Sequence, residues 1–326
     1  MPKLNMVQAI NLGLSQEMER DETVLVLGED VGVDGGVFRV TDGLLEKFGP
    51  SRVMDTPIAE SAVMGTAVGM ALAGLKPVGE MQFSGFSYLM IPQLEGHAAR
   101  FRSRTHGRLT VPLVIRMPYG GGVRALEHHS ESREATYAHF PGVKVVIPSG
   151  PRNARALITA AIRDPDPVVF MEPKRSYRAF REEVPAEPEV MEIGKARVVR
   201  EGKDLTLVAW GAMMRPALHA AEEVEKKRGA SVEVIDLLTI SPMDSGTIAA
   251  SVKKTGRCVV VQEAPRNLGI SSEITARLND EVLLYLEAPV KRVTGYDVVT
   301  PYFGRETMYL PTEGRIRRGI EETLDF

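Results

Sequence analysis

The chain has 326 residues, of which 44% are hydrophobic and 25% are charged, a composition typical of folded globular proteins and a length sufficient for two domains. Its formal net charge of −3, from 40 basic and 43 acidic residues, gives no electrostatic attraction to nucleic acid or to an anionic membrane, so neither partner is expected. The single cysteine, Cys258, excludes a disulfide framework and a cysteine metal site and favours a cytoplasmic location.

The first part of the chain alternates short β-branched runs with longer helical patterns. After an amphipathic helix within residues 1–16, the pattern predicts strands at 23–27, 111–115, 143–147 and 168–170, and helices at 44–48, 60–73 and 153–162. This order is typical of an α/β fold with a parallel sheet. The most apolar stretch, residues 61–74, is shorter than the roughly 20 residues that a membrane-spanning helix needs, so it is predicted to be a buried core helix.

A charged, proline-containing segment at residues 181–194 interrupts this alternation and is predicted to link two domains, which then cover residues 1–180 and 195–326. In the second domain the alternation resumes. Strands are predicted at 205–210, 231–237 and 257–262, and helices at 216–227, 244–253 and 271–283. We therefore expect a second, smaller α/β domain.

The sequence lacks the common self-contained catalytic motifs. Neither a Walker sequence nor a strand-linked Gly-x-Gly-x-x-Gly occurs, and Gly120-Gly-Gly122 is interpreted as a flexible exit from a strand. The Gly-x-Ser-x-Gly nucleophile elbow is missing as well. His128 and His129 do not have the spacing of metal ligands, although they lie in a polar loop after a predicted strand, where open α/β folds bind ligands.

Glu60 is the strongest local indication of chemistry. It ends the segment Asp55-Thr-Pro-Ile-Ala-Glu60 and is the only charged residue near the apolar helix that follows. Its carboxylate could simply favour the positive end of the helix dipole, which contributes about 0.3 to 1 kcal/mol. Alternatively, a carboxyl group in such a poorly solvated place could share a proton with a nitrogen of a bound ligand, as cofactor activation requires.

Six segments keep their order along nearly the whole chain: Leu27-Gly-Glu-Asp30, Asp55-Thr-Pro-Ile-Ala-Glu60, residues 74–83, Arg116-Met-Pro-Tyr-Gly-Gly-Gly122, His129-Ser-Glu-Ser132 and Pro148-Ser149. Together they resemble the beta chain of the decarboxylating component of 2-oxo acid dehydrogenase complexes. The resemblance implies a parallel-sheet, thiamine-diphosphate-binding domain of the pyrimidine type, followed by a smaller α/β domain similar to the transketolase C-terminal domain.

The resemblance also implies partners and an activity. Beta chains of this family form an α2β2 heterotetramer with an alpha chain, which holds Mg²⁺ and the diphosphate of thiamine diphosphate. The assembly oxidatively decarboxylates pyruvate or a branched-chain 2-oxo acid and passes the acyl group to a lipoyl group of the acyltransferase core. This sequence lacks the Gly-Asp-Gly...Asn pattern of alpha chains, so no Mg²⁺ ligands are expected here.

Five residues of this chain match functional positions of the family. By resemblance, Glu60 hydrogen-bonds N1′ of the aminopyrimidine and favours its 4′-imino tautomer. Phe86 matches the aromatic residue that stacks on the same ring, while Gln82 and Phe83 line the pocket. His129 matches the histidine that assists the reductive acylation of lipoate. For Phe83, ordinary core packing is an equally good explanation.

A potassium site is a further implication of the resemblance, with backbone carbonyls and the segment before residue 167 as its ligands. The residues concerned are Val111, Val114, Ala161, Asp164 and Asp166. Ala161 and Asp166 replace residues that vary among relatives, so the match there is incomplete.

Other functions remain open at this stage. Within the same chemistry, the chain could be the beta chain of an acetoin-cleaving complex. It could also be a noncatalytic scaffold that kept the fold, although Glu60, Phe86 and His129 together argue against that. A single-chain transketolase-like enzyme is disfavoured, because it would need its own domain for diphosphate and Mg²⁺ and this sequence has no motif for one. The second domain is expected to carry no catalytic group, to pair beta chains, and to dock the peripheral subunit-binding domain of the acyltransferase core.

Overall fold

The computed structural model describes residues 1–326 and divides into two compact units. The first unit comprises Met1–Tyr119 and Thr136–Ile193, and the second comprises Gly120–Ala135 and Gly194–Phe326. The segment from residue 120 to residue 135, which the sequence analysis assigned to the first domain, is therefore grouped with the second unit. The domain boundaries at 180 and 195 remain a proposal.

Eight strands are formed by the first unit: β1 (Lys3–Leu4), β2 (Val24–Gly28), β3 (Val53–Asp55), β4 (Lys76–Glu80), β5 (Val114–Tyr119), β6 (Lys144–Val146), β7 (Val168–Pro173) and β8 (Glu182–Glu183). Its main sheet has the order β6-β7-β5-β4-β2-β3, with every neighbouring pair parallel. β1 and β8 form a separate antiparallel pair. The central strands are buried on both faces, as parallel sheets require.

The helices up to the end of the first unit are α1 (Met6–Arg20), α2 (Leu44–Phe48), α3 (Glu60–Leu72), α4 (Ile91–Gly96), α5 (Phe101–Arg104), α6 (Glu134–Ala138) and α7 (Pro151–Arg163). The predicted amphipathic N-terminal helix is confirmed as α1, which Asn5 caps in a reciprocal capping box with Gln8. α1 packs closely on α7, where a Cβ at Gly13 would lie 2.5 Å from Cγ2 of Ile158. Only glycine permits this approach without rearrangement.

The second unit contains β9 (Arg197–Arg200), β10 (Leu205–Ala209), β11 (Val232–Asp236), β12 (Thr239–Ser241), β13 (Cys258–Pro265) and β14 (Lys291–Gly295). Its helices are α8 (Met214–Arg228), α9 (Ser245–Thr255), α10 (Ile270–Val282), α11 (Glu306–Tyr309) and α12 (Glu313–Leu324). The sheet order is β14-β13-β10-β11-β9, and β9 alone runs antiparallel. The predicted α/β class is confirmed in both units.

The apolar helix α3 is buried on one face only. Val63, Met64 and Ala67 are buried, whereas Ser61 and Thr66 on the other face are exposed. The prediction of a buried core helix therefore holds for one face of α3. In none of the helices is an apolar stretch long enough to span a membrane.

Candidate cofactor site and the histidine loop

Glu60 is the first residue of α3 and the only charged residue of that helix. Its side chain is partly buried. The preceding residue, Ala59, has no side chain that could cap the helix, and Glu60 is the acidic residue of the first turn, where free N–H groups favour a negative charge. The structure thus places the carboxylate where the sequence predicted it, at the start of a helix with no other charge.

Glu29, in the segment Leu27-Gly-Glu-Asp30, is close enough to Glu60 to interact with it electrostatically. It directly follows β2, and its Oε1 is buried without a hydrogen-bond partner. Burial raises the pKa of the Glu29 carboxyl, and the negative charges of Glu60 and Asp30 raise it further. Glu29 and Glu60 are therefore two carboxyl groups close enough to interact electrostatically.

An aromatic cluster lies in the same unit. The ring centroids of Phe83 and Phe86 are 5.9 Å apart in an edge-to-face arrangement, and Phe38 packs edge-to-face on Phe83 at 5.5 Å. The ring centroids of Tyr177 and Phe38 are 5.2 Å apart, and Nζ of Lys174 lies 5.4 Å from the centroid of Phe83. Sequence reasoning identified Phe83 and Phe86 but missed the other members of the cluster.

The segment that carries Gln82, Phe83 and Phe86 connects β4 to the 3₁₀ helix Ser87–Met90. Gln82 is partly buried directly after Met81. The 3₁₀ helix packs against α3, the helix that Glu60 begins. The segment with Gln82, Phe83 and Phe86 thus leads directly into a 3₁₀ helix that contacts the helix begun by Glu60.

A buried ion network supports the aromatic cluster. Arg116 is fully buried and contacts two carboxylates, with Nη1 2.6 Å from Oε2 of Glu80 and Nε 2.7 Å from Oε1 of Glu172. The hydroxyl of Tyr177 donates to Oε2 of Glu172 at 2.7 Å. Burial raises the pKa of Glu80 even though the guanidinium opposes the change. Tyr177 therefore contacts both Glu172 of this network and Phe38 of the aromatic cluster, and so links the two.

His129 lies in the second unit, at the end of the 3₁₀ helix Glu127–His129. It is partly buried, whereas the adjacent His128 is exposed. The backbone N–H of His129 donates to the carbonyl of Leu126 at 3.0 Å, and the following Ser130 is buried. The loop therefore distinguishes the two histidines and gives His129 the more sheltered position.

The residues considered for potassium are Val111, Val114, Ala161, Asp164 and Asp166. The carboxylate of Asp164 is held by Nζ of Lys144 at 2.7 Å, and that of Asp166 by Nε of Arg102 at 2.6 Å. Both carboxylates thus already have a cationic partner. The structure contains no group of three or more His, Cys, Asp or Glu side chains arranged to hold a metal ion.

Comparison with known proteins identifies relatives over the whole chain. Residues 2–179 match the family model "Transketolase, pyrimidine binding domain" and residues 194–316 match "Transketolase, C-terminal domain". The chain is 52% identical to the pyruvate dehydrogenase E1 component subunit beta of Acholeplasma laidlawii, covering 98% of this chain and 97% of that protein. It is 50% identical to the protein of the same name from Bacillus subtilis (strain 168), covering 100% of both.

The fold is also similar to that of a solved structure described as "Split gene transketolase, inactive beta4 tetramer". The TM-score is 0.81, with 99% of each chain covered, at 22% sequence identity. At this identity the similarity concerns the fold.

Proposed function

Because the chain belongs to the family of pyruvate dehydrogenase E1 component beta subunits, we propose that it is the beta chain of a thiamine-diphosphate-dependent 2-oxo acid dehydrogenase that acts with an alpha chain. The observation that carries the proposal is the 50% sequence identity to the Bacillus subtilis beta subunit over the full length of both chains. It is combined with the position of Glu60 at the start of an otherwise uncharged helix. Pyruvate is the proposed 2-oxo acid, since the relatives are named for it.

The residues of the first unit fit the aminopyrimidine part of thiamine diphosphate. Glu29 has a buried carboxyl oxygen without a partner beside Glu60, and Phe83 and Phe86 provide ring surfaces on a segment that contacts α3 through the following 3₁₀ helix. When bound, thiamine diphosphate supplies the electron sink that decarboxylation of a 2-oxo acid requires. The diphosphate and Mg²⁺ are proposed to be held by the alpha chain.

Each residue has a limited task in this proposal. The carboxyl group of Glu60 would hold a proton at N1′ of the pyrimidine ring, and Phe86 would stack on that ring and orient it. Gln82 and Phe83 line the pocket and exclude water from it. His129 assists the transfer of the acyl group to a lipoyl group of the acyltransferase core, to which the chain docks through the peripheral subunit-binding domain.

Two further parts of the assignment are proposals of the same kind. If potassium binds, backbone carbonyls near Val111 and Val114 would be its ligands, since Asp164 and Asp166 are engaged by Lys144 and Arg102. A cytoplasmic location is supported by the single cysteine, which is buried and free.

The test compares decarboxylation of pyruvate and of 2-oxoisovalerate by the chain alone and mixed with its alpha chain, Mg²⁺ and thiamine diphosphate. Glu60→Ala should abolish the activity of the mixture. Glu46→Ala is the matched control, because Glu46 also lies in the first turn of a helix but is exposed. Activity of the chain alone, or a mixture that is indifferent to Glu60, would contradict the proposal and favour a scaffold or a single-chain enzyme. Cleavage of acetoin instead of 2-oxo acids would identify the acetoin-cleaving alternative.

A further inference from the structure

The loop that carries His129 is closed on itself. We define the His129 loop as residues 120–132, all of which belong to the second unit. The N–H of Gly120 donates to the carbonyl of Glu131 at 3.0 Å, so the two ends of the loop meet. Such compact loops depend on their own contacts and on whatever anchors them from outside. Here the anchors are two carboxylates that lie far away in the sequence.

Glu263, on β13, anchors both ends of the His129 loop. Its side chain is 3% exposed, and Oε1 accepts a hydrogen bond from the N–H of Gly121 at 2.5 Å and from Oγ of Ser132 at 3.3 Å. A single carboxylate oxygen therefore joins the first and last parts of the loop. Hydrogen bonds to a carboxylate are shorter and stronger than those between neutral groups.

Glu306, the first residue of α11, holds the next turn of the same loop. It is 1% exposed, and it accepts from the N–H of Gly122 through Oε1 at 2.7 Å and from the N–H of Arg124 through Oε2 at 3.0 Å. Both oxygens are thus used by backbone donors of the loop. Because a buried carboxylate needs such partners, the loop and Glu306 constrain each other.

Two of the three glycines at the start of the loop are explained by these anchors. A Cβ at Gly120 would lie 2.7 Å from Oε1 of Glu263, and one at Gly121 would lie 3.0 Å from Oε1 of Glu306. Gly120 also has a φ of +83°, which disfavours other residues. The interpretation of Gly120-Gly-Gly122 as a flexible strand exit is therefore wrong, because the backbone of this segment is hydrogen-bonded to two buried carboxylates.

We propose that Glu263 and Glu306 are positioning residues that hold the His129 loop in the conformation needed for acyl transfer to the lipoyl group. The inference rests on the proposed function, since it gives His129 a task in that step. It assigns the second unit a direct influence on one half-reaction, whereas the sequence analysis expected this unit to serve only in pairing and docking. Neither carboxylate is proposed to contact the substrate.

The first experiment measures two rates with the chain in its complex with the alpha chain, Mg²⁺ and thiamine diphosphate. One is 2-oxo acid oxidation with ferricyanide as the acceptor, and the other is reductive acylation of a lipoyl domain. In Glu306→Gln and in Glu263→Gln, the lipoyl rate should fall at least about tenfold more than the ferricyanide rate, as it should in His129→Asn. A drop of this size corresponds to about 1.4 kcal/mol of lost transition-state stabilisation.

The matched control is Glu233→Gln. Glu233 is 2% exposed, lies in the same unit, accepts from the N–H of Gly202 and contacts Lys254, but it has no contact with the His129 loop. Any effect of this substitution should lower both rates in parallel, because it removes a similar buried carboxylate without moving the loop.

The second experiment reads the loop without using activity. Arg124 is exposed, so tryptic cleavage after Arg124, followed by mass spectrometry of the full chain, reports how firmly the loop is held. Cleavage should be at least about fivefold faster in Glu306→Gln than in wild type and in Glu233→Gln.

The outcomes test the role of the two carboxylates separately from the proposed function. Unchanged cleavage after Arg124 in both Glu263→Gln and Glu306→Gln would overturn the inference, and so would faster cleavage with both rates falling in parallel. A wild-type mixture without either activity would instead contradict the proposed function. In that case the cleavage rates would still decide whether the two carboxylates hold the loop.

Discussion

Glu134 and Trp210 form a buried pair that should make the stability of this chain depend on pH. Oε1 of Glu134 lies 3.3 Å from Nε1 of Trp210, which donates to it, while Oε2 is buried without a hydrogen-bond partner. Burial raises the pKa of Glu134 to about 7, and the nearby charge of Glu263 acts in the same direction. The perturbation we consider is Glu134→Gln, which keeps the shape of the side chain and removes its titration.

The expected size follows from the two protonation equilibria. Glu134 has an ordinary pKa of 4.5 and a folded-state pKa of about 7. Between these values the folded chain keeps a proton that the unfolded chain releases, so the free energy of unfolding falls as pH rises through this window. At 1.36 kcal/mol per pH unit, the free energy of unfolding is lower by about 3 kcal/mol once the pH is above the folded-state pKa of Glu134. Glu134→Gln should therefore be more stable than wild type at about pH 8 and lose most of that advantage near pH 5.

Urea unfolding at about pH 5 and about pH 8 measures this difference. Trp210 is the only tryptophan of the chain, so its emission reports both on unfolding and on the protonation of Glu134 in the folded state. Glu46→Gln, which changes an exposed glutamate of the first unit, is the control. The reasoning is refuted if the stability difference between wild type and Glu134→Gln changes by less than about 0.5 kcal/mol between the two pH values.

Three further predictions concern the first unit. Tyr177→Phe removes the hydroxyl that donates to Glu172, so the free energy of unfolding should fall by about 1 to 3 kcal/mol in urea titrations; an unchanged value would show that the bond is dispensable. Gly13→Ala should lower the free energy of unfolding by about 1 to 3 kcal/mol, because the added methyl group clashes with Ile158. Ile158→Ala should relieve this clash in the double variant, and additive losses of the two substitutions in thermal unfolding would contradict the explanation. Phe86→Leu should weaken thiamine diphosphate binding by about twofold to tenfold in calorimetry of the complex, and unaltered affinity would exclude stacking on this ring.

The sequence predicted the elements whose pattern is local. α2 was predicted at residues 44–48 and occupies Leu44–Phe48, and α3 was predicted to within a residue, because both follow helical periodicity. β4 was missed because Lys76-Pro-Val-Gly-Glu80 has no β-branched run. Its extended state is imposed by its place between β2 and β5 in the sheet. The antiparallel β9 was missed for a different reason: it is a four-residue edge strand with both valines exposed, so it has no buried apolar alternation.

The candidate site shows the same division between local and distant information. Glu60 and Phe86 lie in short segments that can be recognised in sequence. Phe38 and Tyr177 meet only in the folded first unit, as do Arg116 and its two carboxylates, and nothing local marks any of them as neighbours. Their contribution could be found only from the structure, because sequence spacing does not encode contacts between distant strands and loops.

The grouping of the His129 loop with the second unit changes how substitutions in this chain should be interpreted. The residues proposed for cofactor activation, such as Glu60, belong to the first unit, whereas His129, proposed for acyl transfer, belongs to the second. Because Glu263 and Glu306 anchor the loop, we expect substitutions of these two residues to alter the half-reaction proposed for His129 without changing the cofactor pocket. A second-unit variant that loses overall complex activity should therefore be assayed for both half-reactions before the loss is attributed to defective assembly.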